Sequence, residues 1–111
     1  MIQISERQGK KTLELRQAEI VYIGEITSGV SPRSGRAWKM RNVNIKFSVG
    51  MNAEGKEETM LVSARCFDEL CDRIGMVATG TRICAFVRLD VNARFRVPQT
   101  ECTLVDFTFN N

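Results

Sequence analysis

The chain has no histidine, and its four cysteines, Cys66, Cys71, Cys84 and Cys102, form no CxxC pair. Lack of histidine removes the side chain that most often moves protons near neutral pH. A zinc site would need all four thiolates at unusual spacing, so no metal is expected. The cysteines are expected as small core or strand residues, because free cysteine packs as a buried hydrophobe. There are no paired carboxylates at a strand end, no nucleophile with a base partner and no GxxxxGK[ST] phosphate loop. These absences argue against an enzyme, a cofactor or a small-molecule substrate. No window approaches eighteen apolar residues, so no membrane-spanning helix is expected. The opening MIQISERQGKK carries no apolar stretch of a secretory leader, which points to a cytoplasmic protein with reduced thiols. Aromatics are scarce, at one Trp, one Tyr and six Phe, so the position of each matters.

What is present suits one globular domain. The 111 residues are 43% hydrophobic and 26% charged, which excludes a disordered chain. A net charge of +3 permits an anionic partner without demanding one. Its placement is more informative. Arg33, Arg36, Lys39, Arg41 and Lys46 form one basic cluster with no acidic residue between them; Arg82, Arg88, Arg94 and Arg96 form a second. Acidic residues gather at 54–58 and 68–72. Basic clusters separated by acidic turns suit a groove rather than a uniformly sticky surface.

The stretch from Ser34 to Val49, SGRAWKMRNVNIKFSV, alternates strictly. Val43, Ile45, Phe47 and Val49 share one face, and Trp38, Met40, Asn42, Asn44, Lys46 and Ser48 share the other. Such a strand buries one face and offers the other to solvent or a ligand. Lys39 and Arg41 share the parity of the buried residues, which sets them at a barrel mouth or in a twisted stretch. An outward Trp among cations is suited to stack an unpaired base and neutralise its phosphate. The plainer reading is a solvated edge strand whose Trp tucks under a loop.

Further elements follow from the same patterns. Residues 1–18 make a small hairpin or an ordered arm around Gln8-Gly9-Lys10, and the main domain spans 19–111. Glu19 to Thr27 reads as a first strand containing Gly24, a bulge or bend signal. Ser28 to Gly35 reads as a loop, and the Trp38 strand pairs through a polar turn at 52–56 with a third strand, Glu58 to Cys66. Met60, Val62, Ala64 and Cys66 are its expected inner face. The period then lengthens: Phe67, Leu70, Cys71 and Ile74 predict about two helical turns closed by Gly75. Thr81 to Val91 alternates again, with Ile83, Ala85, Val87, Leu89 and Val91 inward and Cys84, Phe86 and Arg88 outward. Residues 92–100 form a loop, and Thr103, Val105, Phe107 and Phe109 mark the inner face of a last strand. So many inward apolar residues call for a sheet that closes on itself, and three strands, a short helix and two strands resemble the order of an all-β, five-stranded Greek-key barrel, the OB-fold, with its one short helix between strands three and four.

Several segments resemble those of bacterial single-stranded DNA-binding proteins. Ile20-Val21-Tyr22-Ile23-Gly24-Glu25-Ile26 is similar to that family's opening strand. Ser34-Gly35-Arg36-Ala37 leading to Phe47-Ser48-Val49 resembles its second. Val62 to Leu70 resembles the third strand running into the helix, and Thr79-Gly80-Thr81-Arg82-Ile83 its glycine turn into the fourth. The likeness spans about residues 18–109. It differs at the end, where Phe107 to Asn111 does not match the acidic tail by which that family recruits partners.

The resemblance implies an OB-fold that binds single-stranded DNA, or RNA, without sequence specificity in replication, recombination or repair. It implies stacking at Trp38 and Phe67, although Phe67 equally suits a helix anchor in the core. In that fold, nucleic acid crosses strands two and three between flanking loops. This brings together Arg33, Arg36, Trp38, Lys46, Arg65, Arg94 and Arg96, with outward Phe86 and Arg88 extending the surface or forming a subunit contact. Arg65 and Arg88 also suit plain ion pairs with Glu25 or Glu58. The resemblance further implies a homo-oligomer, a dimer or tetramer. An OB-fold used for protein contact or assembly, without nucleic-acid affinity, is the alternative.

Overall fold

Long alternating stretches make long strands. The computed structural model describes residues 2–7, 10–92 and 99–109, with side chains over 12–89 and 101–109. The elements in chain order are β1 (Ile2–Arg7), β2 (Lys10–Ile23), β3 (Thr27–Val30), β4 (Ala37–Met51), β5 (Glu57–Phe67), α1 (Glu69–Gly75), β6 (Arg82–Asn92) and β7 (Gln99–Phe109). β2 pairs antiparallel with both β4 and β6, β4 with β5, and β6 with β7. A single parallel bridge from Arg65 to Thr103 joins β5 to β7 and closes the ring. The closed order β2-β4-β5-β7-β6 is that of an OB-like barrel. β1 forms a hairpin with β2, which continues unbroken through residue 18, and β3 is added to the free side of β4.

Bulges allow the strands to bend around the barrel. β2 carries one at Arg16–Gln17, where Gln17 takes φ 53°, and another at Val21. Each extra residue kinks the strand and resets which face the following side chains occupy. The first leaves Leu15 and Ala18 both inward. The interior is filled by Ile20, Val43, Ile45, Ala64, Ile83, Ala85, Leu104 and Phe107, all nearly or wholly buried. α1 closes one end by burying Leu70, Cys71 and Ile74. Arg73 ties it to β7 through Asp106 (3.1 Å) and lies 5.0 Å from the centre of the Phe107 ring.

Arg41 has the inward parity expected of it and sits at the barrel mouth. Its Nε donates to the Gly24 carbonyl (2.8 Å) and its Nη1 to the Cys71 carbonyl (2.9 Å). A Cβ on Gly75 would overlap Nη1, so the glycine leaves room for the guanidinium against the helix. The cation is a structural clamp between the end of β2 and α1. All four cysteines are free thiols. Cys66 and Cys71 lie sulfur to sulfur at 3.9 Å in the core, and burial, with Cys71 beside it, pushes the Cys66 thiol up to about 12. It therefore stays neutral near pH 7.

The structure departs from the sequence expectations at several points. Residues 28–30, expected in a loop, belong to β3, while 24–26, expected in the first strand, connect β2 to β3. On β7, a bulge at Val105 reverses the parity upstream of it: Leu104 and Phe107 face inward, while Val105 is only half-buried and Phe109 is exposed. Val49 and Met60, both expected inside, are exposed because the β4–β5 hairpin outruns the barrel core, and Leu89 is exposed toward the far end of β6. Phe67 ends β5 outside the helix, because Asp68 at φ 55° turns the chain sharply before α1 begins. Phe86 is buried at 7% exposure, contrary to its expected exposure. It keeps the outward parity of β6, but it lies between Glu14 of β2 and Asp106 of β7 and is covered within its own chain. No partner subunit is needed to hide it.

Candidate nucleic-acid interface

The outer face of β2, β4 and β5 is one continuous surface. Cross-strand register places Tyr22 beside Asn44 and Ser63, Asn42 beside Arg65, Met40 beside Phe67, and Lys46 beside Leu61. Directly opposed residues point to the same side of a sheet, so these rows share the face opposite Val43 and Ile45. Three aromatics emerge there: Tyr22 at 54% exposure, Phe67 at 40% and Trp38 at 36%. A surface that leaves three scarce rings open among amides and cations can stack planar ligands.

Each ring is placed by a local backbone feature. Tyr22 would point inward with Ile20 by simple alternation; the Val21 bulge turns it out. Alternation in the sequence therefore does not reveal Tyr22, and Gly24, the residue that signals a bulge, lies just past the strand end. Phe67 is held outside by the turn at Asp68. Trp38 sits opposite Gly29 of β3 and packs directly on it: a Cβ there would stand 2.6 Å from Cζ2 and 2.9 Å from Cε2 of the indole. Gly29 thus allows the ring to lie close against the sheet with its remaining surface open.

The expected cations separate into groups. Arg33 and Arg36 are exposed in the turn between β3 and β4, at the Trp38 end. That turn is ordered by Ser31 N–H donating to the Arg36 carbonyl and Gly35 N–H donating to the Ser31 carbonyl, both 2.8 Å. Lys46 is exposed eight positions from Trp38, about 26 Å along the strand at about 3.3 Å per residue. Among the described residues, Arg33, Arg36 and Lys46 form no ion pair. Arg65 is on the face but engaged: Nη2 meets Glu101 Oε2 at 2.5 Å, and its guanidinium carbon lies 5.7 Å from the Phe67 ring centre. Its acidic partner is Glu101, not Glu25 or Glu58. Arg88 is half-buried two strands further round, in register with Arg65 through Thr103. Lys39 is bound to Asp72 at 2.5 Å, and that bond raises its pKa. Arg94 and Arg96 lie outside the described residues. Phe86, being covered on β6, is not part of an open stacking surface. Among the described residues, no three Cys, Asp or Glu side chains converge on a metal site.

No protein-family model matches the sequence, and no curated protein does. Solved structures do resemble it in fold. A small single-stranded DNA-binding protein from Streptomyces coelicolor superposes at TM-score 0.51, over 89% of this chain and 94% of that one, at 8% identity. At that identity the likeness establishes architecture alone: the chain is an OB-like barrel similar in fold to that protein.

Proposed function

We propose that the protein binds single-stranded DNA, largely without regard to sequence, by stacking bases on Tyr22, Trp38 and Phe67 and neutralising phosphates with Arg33, Arg36 and Lys46. The observation that carries this reading is the exposure of three aromatics on one outer face of the barrel. Stacking needs an unpaired base, so the surface favours single strands over duplex, and it tolerates sequence because every base has a π-face. The OB-like architecture, shared with a protein named for single-stranded DNA binding, supports the same reading. The corresponding setting is replication, recombination or repair.

Affinity should fall with salt at a slope near −0.7 per phosphate neutralised on a single strand. Replacing Arg33, Arg36 and Lys46 together with alanine should lessen that slope by up to about two units in a fluorescence titration. An unchanged slope would move the phosphate contacts elsewhere, and a strong preference for duplex would refute the single-strand reading. The exposed Val49, Met51, Met60 and Leu61 on the β4–β5 hairpin favour a second reading, a protein-contact module. The same titration separates the two, since that module would show no oligonucleotide affinity.

The protein acts, on this proposal, as a dimer or tetramer of identical chains. One barrel offers few free cations, and linking barrels raises the effective concentration of each site along one strand. β1 and β3, at the two ends of the sheet order, supply edges for such pairing. Light scattering at micromolar concentration should give a dimer or tetramer mass; a clean monomer would refute the assembly.

A further inference from the structure

The cleft beside Trp38 also holds a carboxylate. Ser28 and Gly29 of β3, Trp38 and Lys39 of β4, and Asp68 line it. Asp68 is exposed, yet its position is fixed: its N–H donates to the Lys39 carbonyl (2.9 Å), and its Oδ1 accepts the Lys39 N–H (3.2 Å). The side chain is thereby pinned against β4 one residue from the indole. The Lys39 ammonium makes its hydrogen bond with Asp72 and feels Asp68 only as a nearby charge, so the Asp68 oxygens keep lone pairs open. Among the described residues, the Lys39 amide is the one donor on the Asp68 carboxylate. A carboxylate only accepts hydrogen bonds and has about four lone-pair positions. It repels a phosphate and favours a ligand edge that brings N–H groups.

Nucleobases differ in what they bring. Cytosine, adenine and guanine carry an exocyclic amino group, whereas thymine and uracil flank their one ring N–H with two carbonyl oxygens. A carboxylate near the stacking ring rewards the first set and is repelled by the carbonyls of the second. Resting on the function proposed above, we propose that the Trp38–Asp68 cleft is a base subsite selecting amino-bearing bases, and hence cytosine over thymine among the pyrimidines. The remainder of the platform stays indifferent to sequence, so the preference applies at one position along the strand.

The test compares two pyrimidine oligonucleotides of equal length, oligo(dC) and oligo(dT), at fixed salt and neutral pH. Stacking area and charge are then matched, and the difference reports the base edge. The unaltered protein should bind oligo(dC) more tightly, by about fivefold for one added hydrogen bond. Asp68→Asn presents both a donor and an acceptor, tolerates the left-handed backbone and should bring the ratio near one while oligo(dT) affinity rises. Asp68→Gly removes the carboxylate from a conformation at φ 55° that glycine adopts freely, and should also level the two. Equal binding of the two by the unaltered protein, or a preference unchanged in either folded variant, would overturn the subsite and leave the function standing. Binding of neither oligonucleotide would overturn the function and the subsite with it.

Discussion

Trp38→Ala should weaken single-stranded oligonucleotide binding by ~1–3 kcal/mol, roughly 5- to 150-fold in Kd. The far-UV spectrum and thermal midpoint should change little. Trp38 lies outside the buried cluster that fills the barrel, and its ring rests on Gly29 of a short added strand. The loss is therefore of ligand contact rather than of core. Trp38→Phe, retaining a ring, should recover most of the affinity. Gly29→Ala gives an independent check, because the added methyl must displace the indole from the sheet. That variant should shift Trp emission, which reports a single residue here, and weaken binding less than removing the ring. Unchanged affinity in Trp38→Ala would move stacking to Tyr22 and Phe67, and loss of folding would make Trp38 a structural residue.

Arg41→Ala should have the opposite signature. It removes the donors that satisfy the carbonyls of Gly24 and Cys71, and these hold the end of β2 and the helix together at the barrel mouth. Charged donors to backbone carbonyls contribute about 1.5–3 kcal/mol each, and a partner left unsatisfied costs more than an absent one. A loss of about 3 kcal/mol is expected in urea or thermal unfolding, a fall in midpoint of roughly 10 °C or more. Arg41→Lys should recover only part, since an ammonium lacks the planar fork that reaches both oxygens. The folded fraction should bind oligonucleotide with unchanged affinity and salt slope. A stable variant with a reduced slope would instead make Arg41 a phosphate contact.

These two residues, three positions apart in the same basic run, show where sequence and structure part. Alternation alone puts Trp38 opposite Val43 and Ile45, and it marks Arg41 as a cation with inward parity. The strands, the helix with its buried Leu70, Cys71 and Ile74, and closure into an OB-like barrel follow from periodicity, because a strand or helix must bury its apolar side whatever its neighbours are. The basic turn carrying Arg33 and Arg36 is likewise visible as a local cluster.

Tertiary structure decided everything that depends on an inserted residue or on a neighbour distant in sequence. Bulges at Val21 and Val105 change parity, so Tyr22 turns outward and Leu104 inward, and no local pattern marks where a closing sheet will place its extra residue. Phe86 has outward parity yet is buried, because burial depends on what the adjoining strands carry over it. Arg65, Lys39 and Arg41 look alike as positive charges. Only the packing of Glu101, Asp72 and two backbone carbonyls against them separates two ion pairs and a clamp from Arg33, Arg36 and Lys46, which form no ion pair among the described residues. Periodicity alone is enough for the barrel and for the strand that carries the candidate site. The fold decided which rings and charges remain open to a ligand, because exposure is a property of the closed sheet and not of the residue.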